Sequence, residues 1–346
     1  MHYSGGSKAL HALILGNPFL MKALLDMELS RYSGGGLAEG QGRPVFISGL
    51  ARGGTTSLLQ KLYLSGAFRS LAYEDMPFVL TPNLWRRAYP RQARPEPLEQ
   101  RAHGDGILVN YQSPEAFDEV FWKVLCGKDY IRKDCLVPHS VSEEIVEMFR
   151  KYVAVVVRSG DKPEQNRYLS KNNNNILRIP ALFQAFPDAV VLTPFREPVS
   201  HALSLLNQHE RFVKINAQDP FSGRYMKWLG HFEFGLNHRP FQFDAGPAAG
   251  QQYQPADINY WLSAWVNYYQ FALDNYADKL NWVAFESLCA APRQTLGAIA
   301  ELVKTRLDVD EAEPYKPPHR ETAGLDKALL DRGEAIYDKL NGLAIR

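Results

Sequence analysis

The chain has 346 residues, a formal net charge of +1, 22% charged residues and 45% hydrophobic ones. That length admits one large α/β domain or two small ones, with apolar content enough for a sizeable core. A charge near zero leaves no basic field for nucleic acid, and the three cysteines, Cys126, Cys135 and Cys289, lack the spacing of a disulfide framework or a metal site.

No uninterrupted apolar stretch approaches the ~20 residues needed to span a bilayer. The N-terminus lacks the basic start and small-residue cleavage site of a signal peptide. A cytoplasmic protein without a transmembrane segment is therefore expected, and the cysteine count suits a reducing compartment.

Residues 1–42 read as a helical extension. Ser7 caps a helix that runs through Leu15 and stops at Gly16; Asn17-Pro18 opens a second, with Phe19, Leu20, Leu24 and Met27 along one face. Gly34-Gly35-Gly36 ends it, and both helices are expected to pack onto the domain that follows.

Pro44-Val45-Phe46-Ile47 is a short apolar strand. Ser48 to Gly54 then forms a glycine-rich turn holding one cation, Arg52, and Thr55-Thr56-Ser57 opens a helix carrying Leu58, Leu59 and Leu62. Strand, glycine loop, hydroxyls and helix in that order make an anion cradle. The glycines let backbone N–H groups converge, and the helix N-terminus adds roughly half a positive charge. Gly49 to Gly54 has the frame of a P-loop, but Thr55 stands where a nucleotide triphosphatase needs its lysine.

Phe68 to Tyr73 reads as a second strand, followed by Glu74-Asp75-Met76-Pro77. Acids just past a strand's carboxyl end lie on the rim where open α/β sheets bind ligands. Side chains alternate along a strand, so Glu74 and Asp75 do not both face the pocket if the strand persists that far. Residues 82–118 look irregular and include His103. Ser113-Pro114-Glu115 starts a helix with Phe117, Val120, Phe121 and Val124 as its core stripe. Ser142 to Val157 is an amphipathic helix, and Arg167 to Lys171 a strand ending in a cation. Asn172 to Asn175 caps and turns, and Ile176 to Phe186 is a helix.

Ala189 to Phe195 is a buried-strand run. Arg196-Glu197-Pro198 leads from it into a helix carrying Ser200, Leu203, Ser204 and Asn207. An arginine at a strand's end and a serine on the next helix can converge on one phosphate, the guanidinium by its fork and the serine as a further donor. Residues 211–256 are aromatic-rich with no clear period and read as a lid over an acceptor pocket. Asp257 caps a long helix with Tyr260, Trp261, Trp265 and Tyr268 as a core stripe. Asn281 to Glu286 is the last strand, Pro292 to Leu302 the last core helix, and Pro314 to Arg320 a basic, proline-stiffened tail. Alternating strand and helix patterns imply an α/β fold, a parallel sheet flanked by helices.

Arg52-Gly53-Gly54-Thr55-Thr56 after an apolar strand resembles the 5′-phosphosulfate loop of sulfotransferases that use 3′-phosphoadenosine 5′-phosphosulfate (PAPS). Arginine in the basic position is similar to the tyrosylprotein, heparan and bacterial branches. Gly53 stands where serine is commoner, tolerable because the backbone does the binding. Arg196 with Ser204 eight positions on resembles the family's 3′-phosphate grip. Phe285-Glu286 departs from the family's Tyr-Glu by one hydroxyl. The resemblance covers residues 43–305, and it implies a P-loop NTPase-like sulfotransferase fold, with the domain at 43–310, the lid at 211–256 and a C-terminal tail at 311–346 packing on it.

The same resemblance implies a bacterial enzyme that moves a sulfuryl group from PAPS to a hydroxyl, or less favourably an amine, of a small-molecule, lipid or glycan acceptor. Arg52 would meet the sulfuryl and leaving 5′-phosphate oxygens; Gly53, Gly54, Thr55, Thr56 and Ser57 would hold the 5′-phosphate; Arg196 and Ser204 would hold the 3′-phosphate; Lys316 would touch the nucleotide from the tail. In branches with arginine in the loop the base is a carboxylate about twenty residues later, which points to Glu74 or Asp75 and favours Asp75, pinned by Pro77; His103 is the rival that a histidine base would supply. No metal is expected, since Arg52 can replace magnesium. A P-loop kinase or NTPase would need the loop lysine and a strand ending in an acid; a non-catalytic nucleotide binder would leave neither acid facing the cradle.

Overall fold

The computed structural model describes residues 4–32, 34, 42–89, 112–244, 252–307 and 324–346, together with the backbone of two short strands at 99–100 and 108–109. Its strands are β1 (Val45–Ile47), β2 (Phe68–Arg69), β3 (Glu99–Gln100), β4 (Leu108–Val109), β5 (Arg167–Lys171), β6 (Val190–Phe195) and β7 (Asn281–Ala284). Five form one sheet in the order β2-β5-β1-β6-β7, every described pair parallel, while β3 and β4 pair antiparallel. The parallel sheet flanked by helices is as the sequence implied.

Alternation along the strands divides the core between two faces. Val45, Ile47, Leu169, Val190 and Leu192 pack with Leu58, Leu59 and Leu62 of the helix Thr55–Leu64 and with Leu296 and Ile299 of the helix Pro292–Val303. Phe46, Tyr168 and Val191 face the other way, into a larger cluster with Phe121, Phe149, Tyr152, Trp265 and Tyr269. β1 is central and buried on both faces, which is why it reads as a continuous apolar run.

Several boundaries differ from the sequence reading, each for a local reason. Ser4, not Ser7, caps the first helix, accepting from the Ser7 amide at 3.2 Å, so the helix starts at Gly5. The second helix, Pro18–Tyr32, buries Met21, Leu25, Glu28 and Leu29, while Phe19 is 90% exposed. That helix is apolar on several sides, and Glu28 decides which side turns inward. Its carboxylate accepts from the Asn83 and Leu84 amides at 2.8 and 3.2 Å, capping the helix Pro82–Ala88.

The helix expected from Ser113 begins at Glu119 instead, because Pro114 is drawn into a bridge with Ala72 beside β2. Within 211–256, the first residues continue the helix Pro198–Gln218 and the next form the helix Pro220–Leu229; Phe221, Phe232 and Phe234 are buried in the core. A final helix, Lys327–Leu343, buries Ile336 and Leu340, and the Ile345 amide beyond it donates to Trp282 O at 2.9 Å. No helix among the described residues is long and apolar enough to cross a membrane.

Candidate active site

The loop after β1 is shaped by two left-handed residues, Arg52 at φ 70° and Gly54 at φ 94°. Only Gly54 takes that conformation without steric cost, so the Arg52 backbone is held there by its surroundings. One such support is His201, whose Nε2–H donates to Ala51 O at 2.7 Å. Burial pushes the His201 pKa down to about 3, with Arg196 and Arg52 adding repulsion; the imidazole is neutral and serves as a strut beneath the loop. Its Cε1 lies 3.2 Å from where a Gly53 Cβ would stand, so a side chain at Gly53 would press on it. Sequence reasoning passed over His201; its place one helical turn after Arg196-Glu197-Pro198 was the available signal.

Gly54 is the N-cap of Thr55–Leu64 and brings no side-chain cap. The first amides of that helix are those no intrahelical carbonyl can satisfy, and they surround the loop. Thr55 and Thr56 are buried beside it, whereas Ser57 is exposed.

The loop after β1 and the helix after Arg196 meet. Arg52 Nε donates to Ser204 Oγ at 3.3 Å across 152 residues of sequence. Arg196 approaches from the end of β6, its guanidinium carbon 5.1 Å from the centre of the Phe285 ring. The same ring lies against the loop, with Cδ2 only 2.7 Å from where a Gly54 Cβ would be. Gly54, Phe285 and Arg196 are thus stacked in layers, and glycine is needed at position 54 for space as well as for φ.

Arg196 is fixed from behind. Its carbonyl accepts from Trp265 Nε1 at 3.1 Å, and Tyr269 OH donates to Pro194 O at 2.9 Å. The next amide, Glu197 N–H, donates to Glu286 Oε1 at 3.0 Å, while Tyr337 OH donates to Glu286 Oε2 at 3.2 Å. The Glu197 carboxylate turns back onto its own helix, accepting from the Val199 and Ser200 amides at 3.2 and 2.8 Å. Burial lowers the Arg196 pKa; Glu286 counteracts this and Arg52 adds to it. Two guanidinium groups close enough to repel each other, one of them largely buried, fit an anionic ligand lodged between them.

On the other flank of the cradle, Asp75 is buried and chelated by Arg69, whose Nη2 lies 2.7 and 2.8 Å from its two oxygens. The Ala72 amide donates to the same carboxylate at 2.8 Å. Burial disfavours the Arg69 cation, but Asp75 outweighs this and raises its pKa. Glu74, next in the 3-10 turn Tyr73–Asp75, is half-buried, and its carbonyl accepts from Trp85 Nε1 at 3.0 Å. The structure therefore gathers Arg52, Gly53, Gly54, Thr55, Thr56, Arg196 and Ser204 around one loop, and puts Asp75 and Glu74 beyond β2, on the far side of β5. His103 and Lys316 lie outside the described residues.

A strand, a glycine loop and a helix at the centre of a parallel sheet, met by an arginine from the next strand, define a P-loop-like α/β fold. The chain belongs to the sulfotransferase family, whose sequence profile matches residues 44–308. Similar solved structures include sulfotransferase STF9 from Mycobacterium avium, 14% identical, with a TM-score of 0.46 over 94% of this chain and 75% of that one. Sulfotransferase STF1 from Mycobacterium tuberculosis H37Rv is 14% identical, with a TM-score of 0.42 over 95% of this chain and 84% of that one. A sulfotransferase from Alicyclobacillus acidocaldarius is 14% identical, with a TM-score of 0.40 over 88% and 96%. A search of curated proteins returns no match.

Proposed function

We propose that the chain transfers a sulfuryl group from PAPS to the hydroxyl of an acceptor by in-line displacement. The reading rests on the 3.3 Å contact between Arg52 and Ser204, which joins the loop motif to the helix that follows Arg196. PAPS carries phosphate at both its 3′ and 5′ positions, and two anion grips this close together suit the two ends of one such nucleotide. The loop amides from Gly53 to Thr56 and the hydroxyls of Thr55 and Thr56 take the 5′-phosphate. Arg52 meets the sulfuryl and leaving-group oxygens, and Arg196 with Ser204 takes the 3′-phosphate.

The protein's task in such a transfer is positioning and charge neutralisation, as in phosphoryl transfer. The acceptor's proton passes to a carboxylate on the β2 side of the cradle, the side that carries Glu74 and Asp75. Asp75, spanned by Arg69, is the less suited of those two. Arg52 stands in for magnesium, and a cytoplasmic, bacterial setting belongs to the same reading.

Incubation with radiolabelled PAPS and a panel of alcohols and phenols, with and without chelator, tests the proposal. Chelator-insensitive transfer of label is the expected result. Tight binding of the product nucleotide 3′-phosphoadenosine 5′-phosphate (PAP) without transfer to any acceptor, or transfer that chelator abolishes, refutes it.

A further inference from the structure

β5 lies between β1 and β2, and its last residue, Lys171, is a further cation beside the end of β1. The register pairs Lys171 with Ile47, the last residue of β1, and the Asn172 amide donates to Ile47 O at 2.9 Å. Lys171 has the same parity as Leu169, which packs with Ile47, Leu58 and Leu59. It therefore rises on the sheet face covered by the cradle helix Thr55–Leu64, at the edge nearest that helix's N-terminus. Arg196 and Ser204 approach from β6 and the helix after it, on the opposite edge, where Ser204 meets Arg52 of the loop.

Lys171 carries a partner. Its Nζ lies 3.2 Å from Glu115 Oε1, and each residue is only 8% exposed. Glu115 is held at that spot by backbone. Its amide donates to Leu71 O at 3.1 Å, and its Oε1 also accepts from the Ala116 amide at 3.0 Å. Two more acids follow on the same segment, but their carboxylates turn elsewhere. Asp118 is bonded by Ser170 and Asn172, and Glu119 is chelated by the fully buried Arg178. Of the three, Glu115 is the one joined to the cation beside the loop. Pairs of this kind, nearly sealed from water at the carboxyl end of a parallel strand, occupy the position where such folds do their chemistry.

We infer that Glu115 is the base that deprotonates the acceptor hydroxyl, and that Lys171 links it to the donor. This rests on the sulfuryl-transfer reading above and selects the carboxylate that reading leaves open. The acceptor oxygen forms a bond to sulfur as the bond between sulfur and the 5′-phosphate oxygen breaks. The 5′-phosphate leaves with that electron pair, and the acceptor's proton goes to the Glu115 carboxylate. Lys171 has three donor hydrogens, enough to span the carboxylate and an oxygen of the bound phosphosulfate at once. The cation thereby holds base and donor in one geometry before the acceptor arrives. The sequence offered Glu115 only as a first-turn helix residue, and the displacement of the helix start to Glu119 is what frees it for this role.

The test measures label transfer from radiolabelled PAPS to the alcohol and phenol panel, PAP affinity by calorimetry, and thermal melting, for wild type, Glu115→Gln and Glu74→Gln. Gln is nearly isosteric with Glu and still accepts from the Ala116 amide. The inference expects Glu115→Gln to lose on the order of a hundredfold to ten-thousandfold in kcat, the usual worth of a general base, with PAP affinity close to wild type; melting falls, because Lys171 loses its buried partner. Glu74→Gln is the competing variant, and a loss of that size there instead of at Glu115 assigns the base to Glu74. The assignment is overturned if Glu115→Gln turns over normally while the wild type transfers label, if Glu74→Gln shows the large loss instead, or if Glu115→Gln loses PAP binding and stability together, which marks a strut. A wild type that transfers no label refutes the underlying reading, a separate outcome.

Discussion

Replacing Arg196 by methionine isolates the second anion grip. The substitution keeps an unbranched stem against Phe285 and removes only the charged fork, which lies 5.1 Å over that ring. A charge-assisted hydrogen bond contributes ~1.5–3 kcal/mol, and an arginine holds phosphate through two. Part of that gain is offset by repulsion from Arg52, which already lowers the Arg196 pKa alongside burial. The net loss is set at about 3 kcal/mol, roughly a hundredfold in Kd for PAP. Burial and the Arg52 repulsion oppose the cation while Glu286 favours it, so the melting temperature of the unliganded protein is expected to change little. Calorimetry with PAP and with adenosine 5′-phosphate checks the assignment, because the two differ only in the 3′-phosphate. Affinity for adenosine 5′-phosphate is expected to change by less than about threefold, under 1 kcal/mol. Equal losses for both nucleotides, or unchanged affinity for PAP, refute the placement of the 3′-phosphate at Arg196.

Asp75→Asn leaves the fully buried Arg69 without its carboxylate and is expected to destabilise the fold by about 3–5 kcal/mol, read by denaturant unfolding; normal stability with abolished turnover would make Asp75 the base instead. Gly54→Ala introduces a Cβ 2.7 Å from Phe285 Cδ2 at a φ of 94°. It is expected to cost about 1–2 kcal/mol in backbone strain and to weaken PAP binding by dislodging the ring under Arg196; wild-type PAP affinity would sever that link. His201 is depressed from 6.5 to about 3. Below pH 6.5 the unfolded chain takes up a proton there that the folded one refuses, so this contribution to stability is complete above 6.5 and lost as pH falls towards 3. His201→Gln is expected to flatten the acid limb of stability against pH by up to about 1.4 kcal/mol per pH unit; an unchanged slope shows that His201 is not held neutral.

The sheet and the two motifs that meet at the loop after β1 were legible because each is written in neighbouring residues. An apolar run, a glycine turn and hydroxyls fix the cradle, and a strand ending in Arg196 with Ser204 two helical turns on fixes its partner. What could not be read depends on which distant segments meet. Asp75 looked like a rim acid until Arg69, six residues earlier, chelated it inside the fold. The inward side of Pro18–Tyr32 was set by Glu28 reaching Asn83 and Leu84, a tertiary contact that helical periodicity does not encode. The aromatics of 211–256 suggested a lid, yet Phe232 and Phe234 are core residues, since an aromatic side chain reads the same whether it will cover a ligand or a neighbouring helix. Glu115 and Lys171, 56 residues apart, share an ion pair that spacing alone never suggests.

Two helix beginnings face the same ligand region, and they are not equivalent. At Pro198 the amides are already engaged by the chain's own Glu197, while Gly54, the N-cap before Thr55, has no side chain to offer. For the donor proposed above, one socket would present the backbone of the loop and the other the side chains of Arg196 and Ser204. Under the proposed function, the polarity of the donor across the sheet, and hence the side from which a second reactant approaches, would follow from that difference before any acceptor is recognised.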